Sequence, residues 1–333
     1  MKIAFLNIYN GKVERGAEVF VSAMEKELSS SHKVDIFQTR SLPVVSHTTL
    51  FYHFLVFIFS LRVFPKLHAG KYDWIIPVNG GLQALLVRII RYFTKSKILI
   101  SGHAGVGKDD LWNIVFGNPD IFVALSPYAA SWAKKLRNGK KVEYIPNGID
   151  TDLFIPQGPK YPLHMSHPII LCVSALDTYK RIDRLIYAVS FLPKANLVLV
   201  GNGPRKKELI AQGKKLLGTR FIYIEHLSHS ELPSLYRSAS VFSLPSRESE
   251  AFGLVYLEAL ACNIPVVAPD DENRRAIIGK AGLYADPENK KEYARVLQQA
   301  ISYDFRTKPR KQAEKFSWSK IAKKYNKVMI SSQ

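Results

Sequence analysis

Cysteine is scarce: the 333 residues hold only Cys172 and Cys262. Two thiols exclude a disulfide framework and cannot by themselves build a zinc cage. Each lies in an apolar run, so both are expected as buried, reduced thiols of a cytosolic protein. Long hydrophobic runs are also missing. The most apolar stretch, Leu50–Leu61, is about a dozen residues, short of the roughly 20 that cross a bilayer. It predicts a buried or interfacial helix. Met1–Ile8 has a short apolar core with no small-residue cleavage site after it, and reads as a first β-strand. Acid is in deficit: 28 Asp and Glu face 47 Lys and Arg, a formal net charge of +19. Such a surplus calls for an anionic partner, which could be nucleic acid, a phosphorylated substrate or a membrane surface. A content of 47% hydrophobic and 23% charged residues excludes general disorder.

What is present is alternation. Short β-rich runs (Lys2–Ile8, Val34–Phe37, Asp73–Val78, Lys97–Ser101, Ile121–Leu125, Val142–Ile145) are separated by stretches with helical spacing. Near-continuous apolar strands between helices indicate a parallel sheet covered on both faces. The pattern breaks at Pro146–Asp150, passes a linker rich in Pro, Gly and His over 156–168, and restarts at Ile169. The expected fold is α/β, two doubly wound Rossmann-like domains facing across a cleft. The boundaries are 1–157, with a returning C-terminal helix 316–333, and 158–315. Ligands of such sheets bind at the carboxyl ends of the strands, so chemistry belongs in the loops there.

Two of those loops imitate nucleotide sites. Gly102–Lys108 has P-loop spacing, but Asp109 stands where a magnesium-binding Ser or Thr belongs. Gly201-Asn202-Gly203-Pro204 starts like a dinucleotide fingerprint and lacks the third glycine. A stronger signal follows the run Val241–Leu244. A helix starting near Gly253 puts Leu254, Leu257, Leu260 and Ala261 on one face, and its free amides make an anion site. Glu250 precedes this helix and Glu258 lies within it. Two such acceptors beside a phosphate site suit the hydroxyls of two sugars. Taken singly, Glu258 reads better as a solvated helix residue and Glu250 as a loop charge.

Glu250-x7-Glu258, set in the run Ser246–Ala261, resembles the signature of retaining glycosyltransferases of family 4, which have the GT-B architecture. Further matches follow in order: Arg15-Gly16-Ala17-Glu18, His103, Pro146–Asp150, Lys180-Arg181-Ile182-Asp183, Gly201-x-Gly203-Pro204 and Phe316-Ser317-Trp318. The resemblance implies a sugar transferred from a nucleotide-sugar donor to a glycan or lipid-linked acceptor, with retention. Glu258 would bind the ribose of the donor. Glu250, with the backbone of Phe252, Gly253, Leu254 and Val255, would bind the transferred sugar and the diphosphate. Lys180 would neutralise the leaving diphosphate, His103 would lie against the donor sugar, and Gly16 would let the first loop approach donor or acceptor. The family often carries Gly-Arg before that lysine, where this chain has Ser174-Ala175; Arg181 is the candidate replacement for the missing cation.

Breaking a sugar–diphosphate bond builds negative charge on phosphate, which fixed amides and Lys180 can meet without a metal. No D-x-D element ends a strand, and the pairs Asp109-Asp110 and Asp270-Asp271 read as solvated turns. No metal or other cofactor is therefore expected. Nucleic acid is disfavoured as a partner, because no aromatic-interleaved basic module appears. The surplus charge splits as 19 basic against 12 acidic residues over 1–157 and 28 against 16 over 158–333. Its tail, Arg306–Lys327, reads as a solvated helical face. With the apolar 50–61 run and Arg88, Arg91, Lys95 and Lys97, the sharper expectation is an anionic membrane surface, with the protein cytoplasmic and peripheral to the inner face of the membrane. The rivals to glycosyl transfer are a P-loop NTPase at Gly102–Lys108 and a sugar-nucleotide-binding protein without activity.

Overall fold

The computed structural model describes residues 1–13, 16–39, 41–45, 49–137, 141–247 and 250–332. Arg15, Glu248 and Ser249, which belong to the matched motifs, lie outside the described residues. The chain divides into two compact units, Met1–Gly148 with Trp318–Gln333, and Ile149–Ser317.

The first unit runs β1 (Lys2–Leu6), α1 (Gly16–Leu28), β2 (Lys33–Phe37), α2 (Leu50–Gly70), β3 (Trp74–Pro77), α3 (Leu82–Thr94), β4 (Lys97–Gly102), α4 (Lys108–Val115), β5 (Ile121–Ala124), α5 (Pro127–Arg137) and β6 (Lys141–Tyr144). Its six parallel strands lie in the order β2-β1-β3-β4-β5-β6. Both faces are covered, which is why β1, β3 and β5 are apolar nearly throughout. One face packs on α2 and α3 through Leu55, Phe59, Val63, Val87 and Ile90. The other packs on α1 and the returning helix through Phe20, Met24, Trp318, Ile321 and Tyr325.

The second unit runs β7 (Ile169–Val173), α6 (Ile182–Ser190), β8 (Asn196–Val200), α7 (Lys206–Leu217), β9 (Phe221–Ile224), α8 (Leu232–Ser238), β10 (Val241–Ser243), α9 (Leu254–Ala261), β11 (Val266–Ala268), α10 (Glu272–Ile278), β12 (Gly282–Tyr284), α11 (Lys290–Ser302) and α12 (Lys308–Ala313). The chain then returns to the first unit as α13 (Trp318–Ile330). Strand order is β12-β11-β10-β7-β8-β9, all parallel. The direction of winding reverses between β7 and β10, so the crevice for a ligand opens where those two strands end.

Two expectations are corrected here. The division falls after Gly148 and Ser317, earlier than 157/158 and slightly later than 315/316. Residues 149–157 belong to the second unit because tertiary bonds hold them. The Ile149 amide donates to the Phe316 carbonyl at 2.9 Å, and Arg310 donates to the carbonyls of Thr151 (2.9 Å) and Phe154 (2.7 Å). Arg310 is thus a structural tie and not part of a solvated basic tail. The second correction is length: α2 extends well beyond Leu61, to Gly70. Val63 and Leu67 continue its buried stripe while Arg62 and Lys66 stay outside. Among the described residues it is the one helix long and apolar enough to cross a membrane. Its inner face is nonetheless a core face, packed on the sheet.

Candidate active site

The winding reversal brings together the loop after β7, which carries Lys180, and the loop after β10, which carries Glu250. Lys180 closes a 3-10 turn over Thr178–Lys180, started by Asp177, whose side chain accepts from the Thr178 amide. Its ammonium group donates to the Glu250 carboxylate in a close ion pair and lies 4.8 Å from the Tyr179 ring centroid. Lys180 is 8% exposed. Burial pulls its pKa down, but Glu250 and Tyr179 outweigh burial and leave it above the ordinary lysine value. It is a permanent cation.

The loop after β10 is held from two sides. Arg181 donates from Nε to the Pro245 carbonyl (2.8 Å) and from Nη2 to the Ser246 carbonyl (3.1 Å), and its Nη1 pairs with Glu288 at 3.2 Å. Arg274, on α10 and only 1% exposed, donates from Nη2 to Ser246 Oγ (2.8 Å) and the Arg247 carbonyl (2.6 Å). It also pairs with Asp271 at 2.9 Å. The Arg247 amide donates to the Tyr179 carbonyl at 2.9 Å, tying this loop to the turn that carries Lys180. Arg181 thus positions the loop backbone, using three of its five N–H groups.

Helix α9 starts as expected, with Gly253 as its N-cap in the left-handed region (φ 88°). A Cβ there would stand 2.7 Å from the Tyr256 ring, so both conformation and space demand glycine. Phe252 is buried beneath the loop. Leu254 and Val255 open the helix, where amides have no carbonyl one turn back to bond. Glu258 follows one turn later, 8% exposed. Its Oε2 accepts from the Tyr236 hydroxyl at 2.7 Å. Burial raises its pKa, opposed by Tyr236 and His229. The solvated-helix reading of Glu258 is excluded.

In the first unit, His103 follows β4. Its ring lies 4.8 Å from that of Phe20, and its Nε2 is buried with no partner among the described residues. Burial lowers its pKa to about 4, so the imidazole is neutral at physiological pH. Gly16 is the first residue of α1. The P-loop rival fails here. The loop 102–108 is closed by its own acid: Asp110, in the first turn of α4, accepts from the Gly105 amide (2.9 Å) and from Asn113 (3.0 Å). A Cβ on Gly102 would lie 2.6 Å from that carboxylate. Burial raises the Asp110 pKa to about 7, against the hydrogen bonds it accepts. That carboxylate holds an amide, and stands in the space, that a phosphate in this loop would need. Neither aspartate pair is a solvated turn, since Asp271 caps α10 and pairs with buried Arg274.

The sequence did not point to Arg274 or to Asn7. Asn7 follows β1 at the reversal of the first sheet, fully buried, with Nδ2 unpartnered among the described residues. The usable signal for Arg274 was its i,i+3 spacing from a cap-forming Asp. Both cysteines are buried free thiols with pKa values pushed up by burial to about 12, hence inert. Among the described residues no three His, Cys, Asp or Glu side chains group closely enough to hold a metal ion.

Residues 157–316 match the model of glycosyl transferases group 1. The second unit is a group 1 glycosyltransferase domain. In an alignment of 188 positions that covers 50% of its length, the chain is 32% identical to a GDP-mannose-dependent alpha-(1-6)-phosphatidylinositol monomannoside mannosyltransferase of Mycolicibacterium smegmatis. It spans about half the length of the curated relatives it matches, 49% for that one. The solved sucrose-phosphate synthase of Thermosynechococcus elongatus superposes with a TM-score of 0.81 at 22% identity, covering 99% of this chain and 98% of that one. Anabaena HepE, solved with UDP and glucose, gives 0.76 at 19% identity over 99% and 100%. The chain thus has the GT-B fold, two doubly wound α/β units.

Proposed function

We propose that the chain is a hexosyltransferase that moves a sugar from a nucleotide-sugar donor to a glycan or lipid-linked acceptor, with retention and without a metal. One observation carries the reading: Lys180, Glu250 and the first turn of α9 meet at the reversal point of the group 1 domain, on a loop fixed by two arginines. In support, a relative is named as using GDP-mannose, and HepE was solved with UDP.

In this reading the donor diphosphate lies against the amides of Gly253, Leu254 and Val255. Lys180 faces the oxygen on which charge grows as the anomeric C–O bond breaks. Glu250, now paired with Lys180, takes the hydroxyls of the transferred sugar. Glu258, braced by Tyr236, takes the ribose. His103 is neutral and so offers the donor sugar a hydrogen bond rather than a charge. The acceptor oxygen forms the new bond to the anomeric carbon as the bond to the diphosphate breaks, and its proton passes to the departing phosphate oxygen, which keeps the electron pair. We place this work on the cytoplasmic side, peripheral to the inner face of a membrane.

A thermal-shift screen of UDP- and GDP-sugars tests the reading. A true donor at a hundred times its dissociation constant adds about 2.7 kcal/mol of stability. Stabilisation by one of them, followed by transfer to an acceptor, supports it. Tight binding with no turnover on any acceptor would favour the inactive binding protein.

A further inference from the structure

Helices α2 and α3 lie side by side on one face of the first sheet, with Phe64 and Phe93 in edge-to-face contact at 6.2 Å. Each carries a second apolar stripe that faces away from the core. On α2 it runs through Leu50, Phe54, Phe57 and Leu61; on α3, through Leu82, Leu86, Ile89 and Phe93. Both follow the spacing i, i+4, i+7, i+11, so each stripe is one helical face. Leu50 is 88% exposed, Tyr92 76% and Phe93 62%. Neighbouring α4, followed by Phe116 whose carbonyl accepts from Arg88, adds exposed Trp112 and Val115. Single exposed hydrophobics need no explanation, but a contiguous set of this kind marks an interaction surface.

Its charge identifies the occupant. Neither α2 nor α3 contains an acid, and from Leu50 to Lys95 only Asp73 faces Arg62, Lys66, Lys71, Arg88, Arg91 and Lys95. Asp73 is engaged by the Lys2 amide at 2.6 Å, and Arg91 by Asp120 at 3.0 Å. Where α2 and α3 end, a cavity of about 560 Å³ is lined by His68, Lys71, Phe93, Lys95 and Lys97 as well as Asp73. Phe93 belongs to both the apolar stripe and this basic cavity. An apolar face with aromatic residues, flanked by cations and adjoining a basic cavity, matches the boundary between acyl chains and phosphate headgroups. A second copy of the same face would bring cation against cation.

We propose that α2 and α3 dock this chain on an anionic phospholipid bilayer. Leu50, Phe54, Phe93 and Tyr92 enter the headgroup–acyl boundary, and Lys71 and Lys95 sit at the lipid phosphates. The inference builds on the lipid-linked acceptor proposed above, but vesicle binding is measured without donor or acceptor. Its failure therefore leaves sugar transfer standing, and failed transfer leaves binding standing.

The experiment is co-sedimentation of the full chain with phosphatidylcholine vesicles, with and without phosphatidylglycerol, at low and high salt. Binding should require the anionic lipid and fall as salt rises, since screening shortens the reach of surface charge to about 10 Å at 0.1 M. Tyr92→Ser with Phe93→Ser, and separately Lys66→Glu with Lys95→Glu, should each lower the partition coefficient at least tenfold. These side chains are exposed, and an unchanged melting temperature confirms that each variant folds. Equal binding to neutral and anionic vesicles, or none to either, overturns the proposal. So does binding lost only when Lys323 and Lys324 of α13 are reversed, or a lipid-free dimer that Tyr92→Ser with Phe93→Ser dissolves.

Discussion

Two strand-to-helix loops in this chain both look like phosphate sites in sequence, and they differ in what occupies their amides. The loop 102–107, between β4 and α4, has P-loop glycines but folds around Asp110, which takes the Gly105 amide and fills the space above Gly102. The loop 244–253, between β10 and α9, lacks that spacing. Its carbonyls are drawn back by Arg181 and Arg274, and the first turn of α9 has no internal acceptor for its amides. Glycine spacing describes only the room a backbone leaves. Whether an anion can enter depends on how the fold partners the charges: Asp110 turns onto the amides of one loop, whereas in the other the acid, Glu250, is paired with Lys180 and two arginines hold the carbonyls.

The largest effect should come from the buried clamp. Arg274→Ala leaves Asp271 and two loop acceptors, Ser246 Oγ and the Arg247 carbonyl, without their cation. Breaking a buried pair from one side costs about 3–5 kcal/mol, read as a lower midpoint in urea unfolding. Arg274→Lys, which restores charge but not the fork, should recover only part of it.

Lys180→Ala should reduce turnover by roughly a hundred- to thousandfold, about 2.7–4 kcal/mol in the barrier. Arg181→Ala should act differently, raising the Michaelis constant for donor as the loop loosens. Equal losses in turnover from both would make Arg181 the second phosphate cation after all. Steady-state kinetics separates the two outcomes.

The closed loop yields a pH prediction. Burial lowers the His103 pKa from an ordinary 6.5 to about 4. Unfolding then frees an imidazole that binds a proton more readily. The resulting stabilisation is complete above pH 6.5 and is lost as pH falls through about 4. The linked free energy is on the order of 3 kcal/mol. His103→Phe keeps the contact with Phe20 and removes the titration, so its stability should fall less over that window. Parallel unfolding curves at pH 7 and pH 4 decide the matter.

Glu258→Gln should have the smallest effect. Ribose is unchanged by the reaction, so its hydrogen bonds are equal in ground and transition states. Weakening a charged hydrogen bond, about 1.5–3 kcal/mol, should raise the donor Michaelis constant and spare turnover. Loss of turnover at constant donor affinity would reassign Glu258 to the reacting sugar.

The alternation of β and α was legible because strands buried on both faces must be apolar almost throughout, as β5 and β8 are. The start of α9 was legible too, since Gly253 and the apolar spacing after it are local signals. Burial of a particular charge was not. Asp109 and Asp110 are adjacent in sequence, yet only Asp110 is turned inward by α4. Arg274 could be assigned to the loop only once α10 had brought it beside Ser246. The ends of α2 and of the first unit were missed for a related reason: Val63, Leu67 and the Ile149–Phe316 bond are fixed by tertiary partners rather than by local pattern.

The central claim is that the nucleotide diphosphate binds at the loop 244–253 and not at the loop 102–107. Calorimetric titration of UDP and GDP into wild type, Lys180→Ala and Lys108→Ala tests it most directly. The account predicts that Lys180→Ala weakens binding at least tenfold, about 1.4 kcal/mol, while Lys108→Ala leaves it unchanged. Binding lost with Lys108→Ala and kept with Lys180→Ala would contradict it.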